Sequence, residues 1–213
     1  DTVLVYRAIP MQWLQKGGKL TKCEKGLYLD LEGVPITDIS PLRNVPIKYL
    51  NLDKTGVQDI GPLQGLDLVW LSMDDTKVWN LRPLQGMNLE DLMARSTRVS
   101  DLSALRNMPL KHLDVACTEV SDLKPLRGLE LKYLDVGKTN VTDLSPLIGM
   151  PLETIQFWTT GVTDLSPLRG MPLRDVRFDY TAISDLTPLA GMKIETLHIF
   201  NTKITDLEPL RDM

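Results

Sequence analysis

LKYLDVGKTNVTDLSPLIGMP, residues Leu131–Pro151, runs directly into a close copy of itself that begins at Leu152. The phrase recurs along almost the whole chain. An aspartate marks it at Asp38, Asp59, Asp101, Asp122, Asp143, Asp164, Asp185 and Asp206, a constant step of 21, with Asn80 in the one gap. Threonine keeps the same step from Thr55 to Thr202, and proline keeps it from Pro41 to Pro209 with Ala104 as the exception. A fixed period of this length is the mark of a solenoid, in which each unit buries its apolar side only against its neighbours.

Each part of the phrase has a physical job. Leu134 and Val136 alternate with polar residues, the period of a strand. Copies of so short a strand are expected to pair in parallel, so that nine of them span about 38 Å. The columns headed by Leu50 and Leu52 point into the coil. The second of them carries Ala94, which shrinks one layer and calls for compensation by Met73 or a slight compression. After the strand, the marker aspartate is expected to accept a backbone N–H two or three residues on, capping the turn that DLSPL begins. Gly65, Gly86, Gly128, Gly149, Gly170 and Gly191 then fall where a positive φ is needed, and Asn44 and Asn107 are the next best residues there. The threonine hydroxyls are expected to bond backbone groups of adjacent coils as a ladder.

These residues resemble a leucine-rich repeat. LKYLDVGKTNVTDLSPLIGM is similar to the short bacterial type with DLSPL turns, such as internalins, and T.V.DLSPLRGMPL is similar to repeats of planctomycete multidomain proteins. The threonine column replaces the family's hallmark asparagine. The resemblance covers about nine tenths of the chain. It implies an α/β-type leucine-rich repeat solenoid with a parallel concave sheet, a 3₁₀ or irregular convex side and few or no full helices. It also implies a binding module, because members mostly bind proteins, and some bind sugars or lipids, on the concave sheet.

Residues 1–25 do not fit the phrase and read as an N-terminal cap, with Val3, Val5, Met11, Trp13 and Leu14 covering the first coil and Gly17–Gly18 as a turn. Residues 26–213 make nine 21-residue units. The chain stops at the close of a unit with no cap, which favours a fragment of a larger protein over end-to-end pairing. A start at Asp1 fits a trimmed precursor or an excised segment equally. Both cell-surface and cytoplasmic settings fit.

Composition narrows the function. The 213 residues are 43% hydrophobic and 24% charged, with a formal net charge of −4. That balance gives no support to a nucleic-acid binder, and no apolar run is long enough to span a membrane. Cys23 and Cys117 lie far apart and read as unpaired. His112 and His198 are four units apart, roughly 19 Å at the sheet spacing, so they share neither a metal nor a proton relay. Asp53, Asp74 and Asp75 on neighbouring strands suit either calcium or simple solvent exposure. No phosphate loop or metal signature occurs. The reading is a non-enzyme without cofactor or metal.

Function is then written at the outward strand positions. The column Asp30, Asn51, Ser72, Met93, Asp114, Asp135, Gln156, Arg177, His198 is expected to be exposed. Tyr28, Tyr49, Trp70, Tyr133, Trp158, Tyr180 and Phe200 are expected to face outward as apolar anchors, since aromatics bury much area at low entropy cost. Asp53, Asp74 and Asp91 would steer a partner with a basic edge, and Asp175, Arg177 and His198 would add polar contacts. The occupant is expected to be a protein or peptide. A glycan on the same aromatics and a structural spacer in a larger signalling protein are the alternatives. Trp79, which replaces the usual Ser or Thr, reads equally as lateral packing or as a side-face contact.

Overall fold

The computed structural model describes residues 9–211; Val3, Val5 and Met213 lie outside the described residues. A short helix α1 (Met11–Gln15) leads into β1 (Lys19–Cys23) and β2 (Gly26–Asp30). Eight three-residue strands follow: β3 (Tyr49–Asn51), β4 (Trp70–Ser72), β5 (Asp91–Met93), β6 (His112–Asp114), β7 (Tyr133–Asp135), β8 (Thr154–Gln156), β9 (Asp175–Arg177) and β10 (Thr196–His198). All ten form one sheet in sequence order. β1 and β2 make an antiparallel hairpin, and every later pairing is parallel, in the 21-residue register Tyr28↔Tyr49↔Trp70. The hairpin strand was not legible, because in KLTKC four of five residues are exposed and no apolar alternation marks it. Trp13 of α1 is buried and joins the core.

The convex side turns through three-residue 3₁₀ segments such as Ser40–Leu42 and Ser145–Leu147. The marker aspartate sets them up. Asp38 Oδ1 accepts the Ser40 N–H at 2.8 Å, Asp122 accepts that of Lys124 at 2.9 Å, and Asn80 does the same for Arg82 at 3.0 Å. Asparagine fills the gap because the turn needs an acceptor oxygen rather than a charge. The glycine column leaves the turn at φ of 72° to 79°, with Asn44 at 62° and Asn107 at 59°.

Inside, the leucine columns are fully buried as far as Val176 and Phe178 and only partly so at Leu197 and Ile199 in the last coil, and Phe157 stacks on Phe178 at 5.4 Å between ring centres. Met73 and Ala94 are both fully buried on adjoining coils. The threonines do not link coils. Thr55 Oγ1 donates to the Leu52 carbonyl of its own coil at 2.6 Å, and the pattern repeats from Thr76 to Thr202. Backbone carries the inter-coil ladder instead: Leu52 N–H donates to Ser72 O and Lys54 N–H to Asp74 O, both at 2.8 Å. The hydroxyl is drawn inward because the chain turns sharply between it and the strand.

That turn puts a whole column in the left-handed region. Gly33 holds it in the first coil at φ 67°, and Lys54, Asp75, Ser96, Cys117, Lys138, Thr159, Tyr180 and Asn201 hold it afterwards at 52° to 57°. β-Branched residues suffer most there. Thr159 is exposed and is the only β-branched member. Thr159→Asn is therefore expected to stabilise the fold by about 1 kcal/mol, read as a rise in urea midpoint; Asn201→Thr should do the reverse.

Candidate functional site

The concave face is built from the two outer residues of each strand and the two that follow. In β4, Leu71 enters the core while Trp70 and Ser72 point the other way. Facing outward does not mean exposed here. Asn51, Ser72 and Asp135, expected to be exposed, are buried at 7%, 3% and 2%. Asn51 and Asp135 hold backbone N–H groups, and Ser72 donates to the Asp53 carboxylate.

The second residue after a strand aims its N–H at this face, where no backbone carbonyl takes it, as at Glu32, Asp53, Asp74, Arg95, Ala116, Gly137 and Phe200. Side chains do. Asp30, Asn51, Asp114 and Asp135 accept from the residue two further on. Asp53, Asp74 and Asp179 instead accept from the next coil: Asp53 Oδ1 from Asp74 N–H, Asp74 Oδ1 from Arg95 N–H and Asp179 Oδ1 from Phe200 N–H, each at 2.7 Å. Asp53 Oδ1 also accepts the Ser72 hydroxyl at 2.6 Å. The acidic character of the first half is thus in part a capping device. Sequence reasoning missed it, although an Asp or Asn two residues before the strand exit is a signal that can be searched for.

The aromatics divide into three groups. Tyr28, Tyr49 and Trp70 are half-buried side by side, with Tyr28 meeting Trp70 edge-on at 6.0 Å. Tyr180 and Phe200 stand 53% and 67% exposed and meet edge-on at 5.4 Å. Trp158 lies back across Gly137, where even a methyl group would come within 2.1 Å of its Nε1. Guanidinium groups flank the indole, that of Arg95 at 5.8 Å and that of Arg177 at 5.5 Å. Arg177 Nε also donates to Asp179 at 2.7 Å. Tyr133 is half-buried beside His112. Asp91 is not a free carboxylate: its Oδ1 contacts His112 Nδ1. His198 is exposed on β10, and Asp175 is half-buried on β9. Trp79 is 55% exposed, off the concave face. Among the described residues no three His, Cys, Asp or Glu side chains gather closely enough to hold a metal ion, and no helix is long and apolar enough to cross a membrane.

No family model and no curated protein matches the chain. Solved structures do. An internalin, InlF, of Listeria monocytogenes superposes with a TM-score of 0.80 at 32% identity over 86% of this chain. Internalin C2 of the same species gives 0.78 at 26% identity over 81% of this chain and 80% of its own. The functional domain of InlJ, also from Listeria monocytogenes, gives 0.60 at 19% identity over 87% of this chain and 51% of its own. The fold is internalin-like. This chain spans 56% of the length of the InlF chain.

Electrostatics of the internalin-like face follow from its burial. Burial pushes Asp74 up to about 6 against the Arg95 N–H bond, with the charges of Asp53, Asp114 and Asp75 adding to it. Burial likewise takes Asp135 to about 6, against the Gly137 N–H bond. Asp53 and Asp114 move up for the same first reason. Tyr133 is raised by burial and then by the charges of Asp135 and Asp114. On the convex side the opposite holds: backbone and hydroxyl hydrogen bonds from Ser40, Ser103 and Ser145 keep Asp38, Asp101 and Asp143 below the usual range.

A carboxyl raised in the folded state binds its proton more tightly there than in the unfolded chain. The stability this confers is full below the ordinary carboxylate pKa and is lost as pH rises through about 6. The depressed convex carboxylates act only at lower pH, where they lose their contribution as pH falls through their folded values. The internalin-like solenoid is therefore expected to melt at a higher temperature at pH 5 than at pH 7.5. Asp135→Asn keeps an acceptor for Gly137 and should remove a large part of that difference; an unchanged difference would show that Asp135 does not carry it.

Proposed function

We propose that the chain is a non-catalytic recognition module that binds a protein or peptide across its concave sheet, with Tyr49, Trp70, Tyr180 and Phe200 as anchors. Leucine-rich repeat folds generally act as protein-binding modules through this face. The observation that carries the reading is the Tyr180–Phe200 pair, two large aromatics more than half exposed on one face. Tyr180 holds its place in the left-handed region, which is costly for a bulky side chain and has no packing reward in the core. The surface carboxylates favour a partner with a basic edge over the first half. His198, beside this pair on β10, and Arg177 supply polar contacts.

The test compares the parent with a Tyr180→Ser, Phe200→Ser double variant in capture from extract, followed by hydrogen exchange on the complex. The expected result is a protein partner held by the parent, bound at least tenfold more weakly by the variant, with protection on β4–β10 and none on the 3₁₀ turns. Equal capture by both, or protection confined to the convex turns, removes the concave face from the function. Release by oligosaccharide rather than by protein would transfer the face to glycans.

A further inference from the structure

At the N-terminal end of the concave face, Cys23, Tyr28, Tyr49 and Trp70 line a shallow, open cleft of about 280 Å³. Its origin is the register. Tyr28, Tyr49 and Trp70 occupy the same position on β2, β3 and β4, so three rings rise side by side. The hairpin strand β1 brings Cys23 to the remaining side, and this end of the sheet is the only one with such a strand among the described residues. Further along, the same column reads Asp91, His112, Tyr133, Thr154, Asp175, and no second triple forms.

Shape and charge point the same way. The Tyr28 and Trp70 ring planes are inclined at 77°. Flat sugar rings favour a flat platform, whereas this arrangement is a corner of π faces. A corner suits a compact cation, which is attracted by several faces at once. Carboxylates surround the cleft: those of Asp30, Asp53 and Glu32 all bear on the Tyr28 hydroxyl, but Glu32 is paired with Lys54 and Asp91, next after Trp70 in the column, with His112, so the counter-charge falls to Asp30 and Asp53. No cationic side chain lines the cleft. Lys48 and Lys54 from the adjoining coil are engaged by Asp67 and Glu32.

We propose that the Tyr28–Tyr49–Trp70 cleft seats the ammonium head of a lysine side chain, free or methylated, presented by the partner polypeptide. The inference rests on the concave-face reading above and adds the chemistry of one subsite. The aromatic faces hold the cation, the carboxylates supply its counter-charge, and the lysine stem leaves along the sheet toward β5.

The test uses the whole chain with ¹⁵N-labelled indoles, the Trp70 N–H being assigned through Trp70→Leu. The probes are Nα-acetyl-lysine methylamide, its Nε-trimethyl form and the norleucine counterpart, which has the stem without the charge. Both charged probes are expected to shift the Trp70 signal saturably, with norleucine at least tenfold weaker. Tyr49→Leu keeps apolar bulk and should weaken the charged probes about fivefold while leaving norleucine unchanged. No saturable shift, equal binding of norleucine, or a shift at Trp158 instead of Trp70 would overturn the proposal. Because each probe is a single residue, its result does not depend on the macromolecular partner. A silent cleft with intact Tyr180-dependent capture retires only the subsite. A responsive cleft without such capture keeps the subsite and retires the wider reading.

Discussion

Phe157→Ala is expected to cost about 3–5 kcal/mol, the largest effect of any single substitution considered. Phe157 is fully buried and stacks nearly parallel on Phe178, with ring planes 12° apart. Truncation removes a ring from between two coils and leaves a cavity against a second ring that has no other stacking partner of its kind. In a solenoid each coil contacts only its neighbours, so the loss falls on one interface. The measurement is a urea midpoint together with hydrogen exchange, where β8 and β9 should open well before β3 and β4. The native Ala94 in the same column shows that alanine as such is tolerated, since it is fully buried beside Met73. The cost at Phe157 therefore comes from its surroundings. A loss below about 1 kcal/mol would mean that those two coils collapse onto the gap.

Gly137→Ala is expected to destabilise by about 1–3 kcal/mol although it adds only one methyl group, at a buried strand exit. The backbone there is not in the left-handed region, so the penalty is steric. The new Cβ would stand 2.1–2.5 Å from three atoms of the Trp158 indole. The ring must leave, losing its seat between Arg95 and Arg177. The check is a double-mutant cycle with Trp158→Ala: in that background the methyl group should cost almost nothing. A penalty that persists without the indole would place its origin in the backbone.

Much of this architecture could be read from the chain, and what could not has a common cause. The Asp38, Gly65 and Pro41 columns each answer a local demand within a few residues, so residue type reveals geometry. The leucine columns answer a one-neighbour demand and were equally plain. The threonine hydroxyls were assigned to the wrong partner because their direction depends on a left-handed turn at Lys54, Asp75 and Tyr180, positions that carry no glycine signature after Gly33. Burial of Asn51, Ser72 and Asp135 was illegible because it depends on side chains one or more coils away. Trp158 is the clearest instance: its rotamer is decided by the absence of a side chain at Gly137, 21 residues earlier. The capping role of Asp53 and Asp74 escaped for the same reason, since their donors lie in the following coil.

The unbroken 21-residue register makes the molecule a ruler. The aromatic corner at β4 and the exposed pair following β9 and β10 are five to six strand spacings apart, about 24–29 Å along the sheet. That separation can change only in whole steps of about 4.8 Å, because removing or adding one unit restores every neighbouring contact. A half-step would turn the leucines outward. The gap between two contact points on a ligand is thus counted in coils, so copy number, independently of any contact residue, selects which spacing is matched.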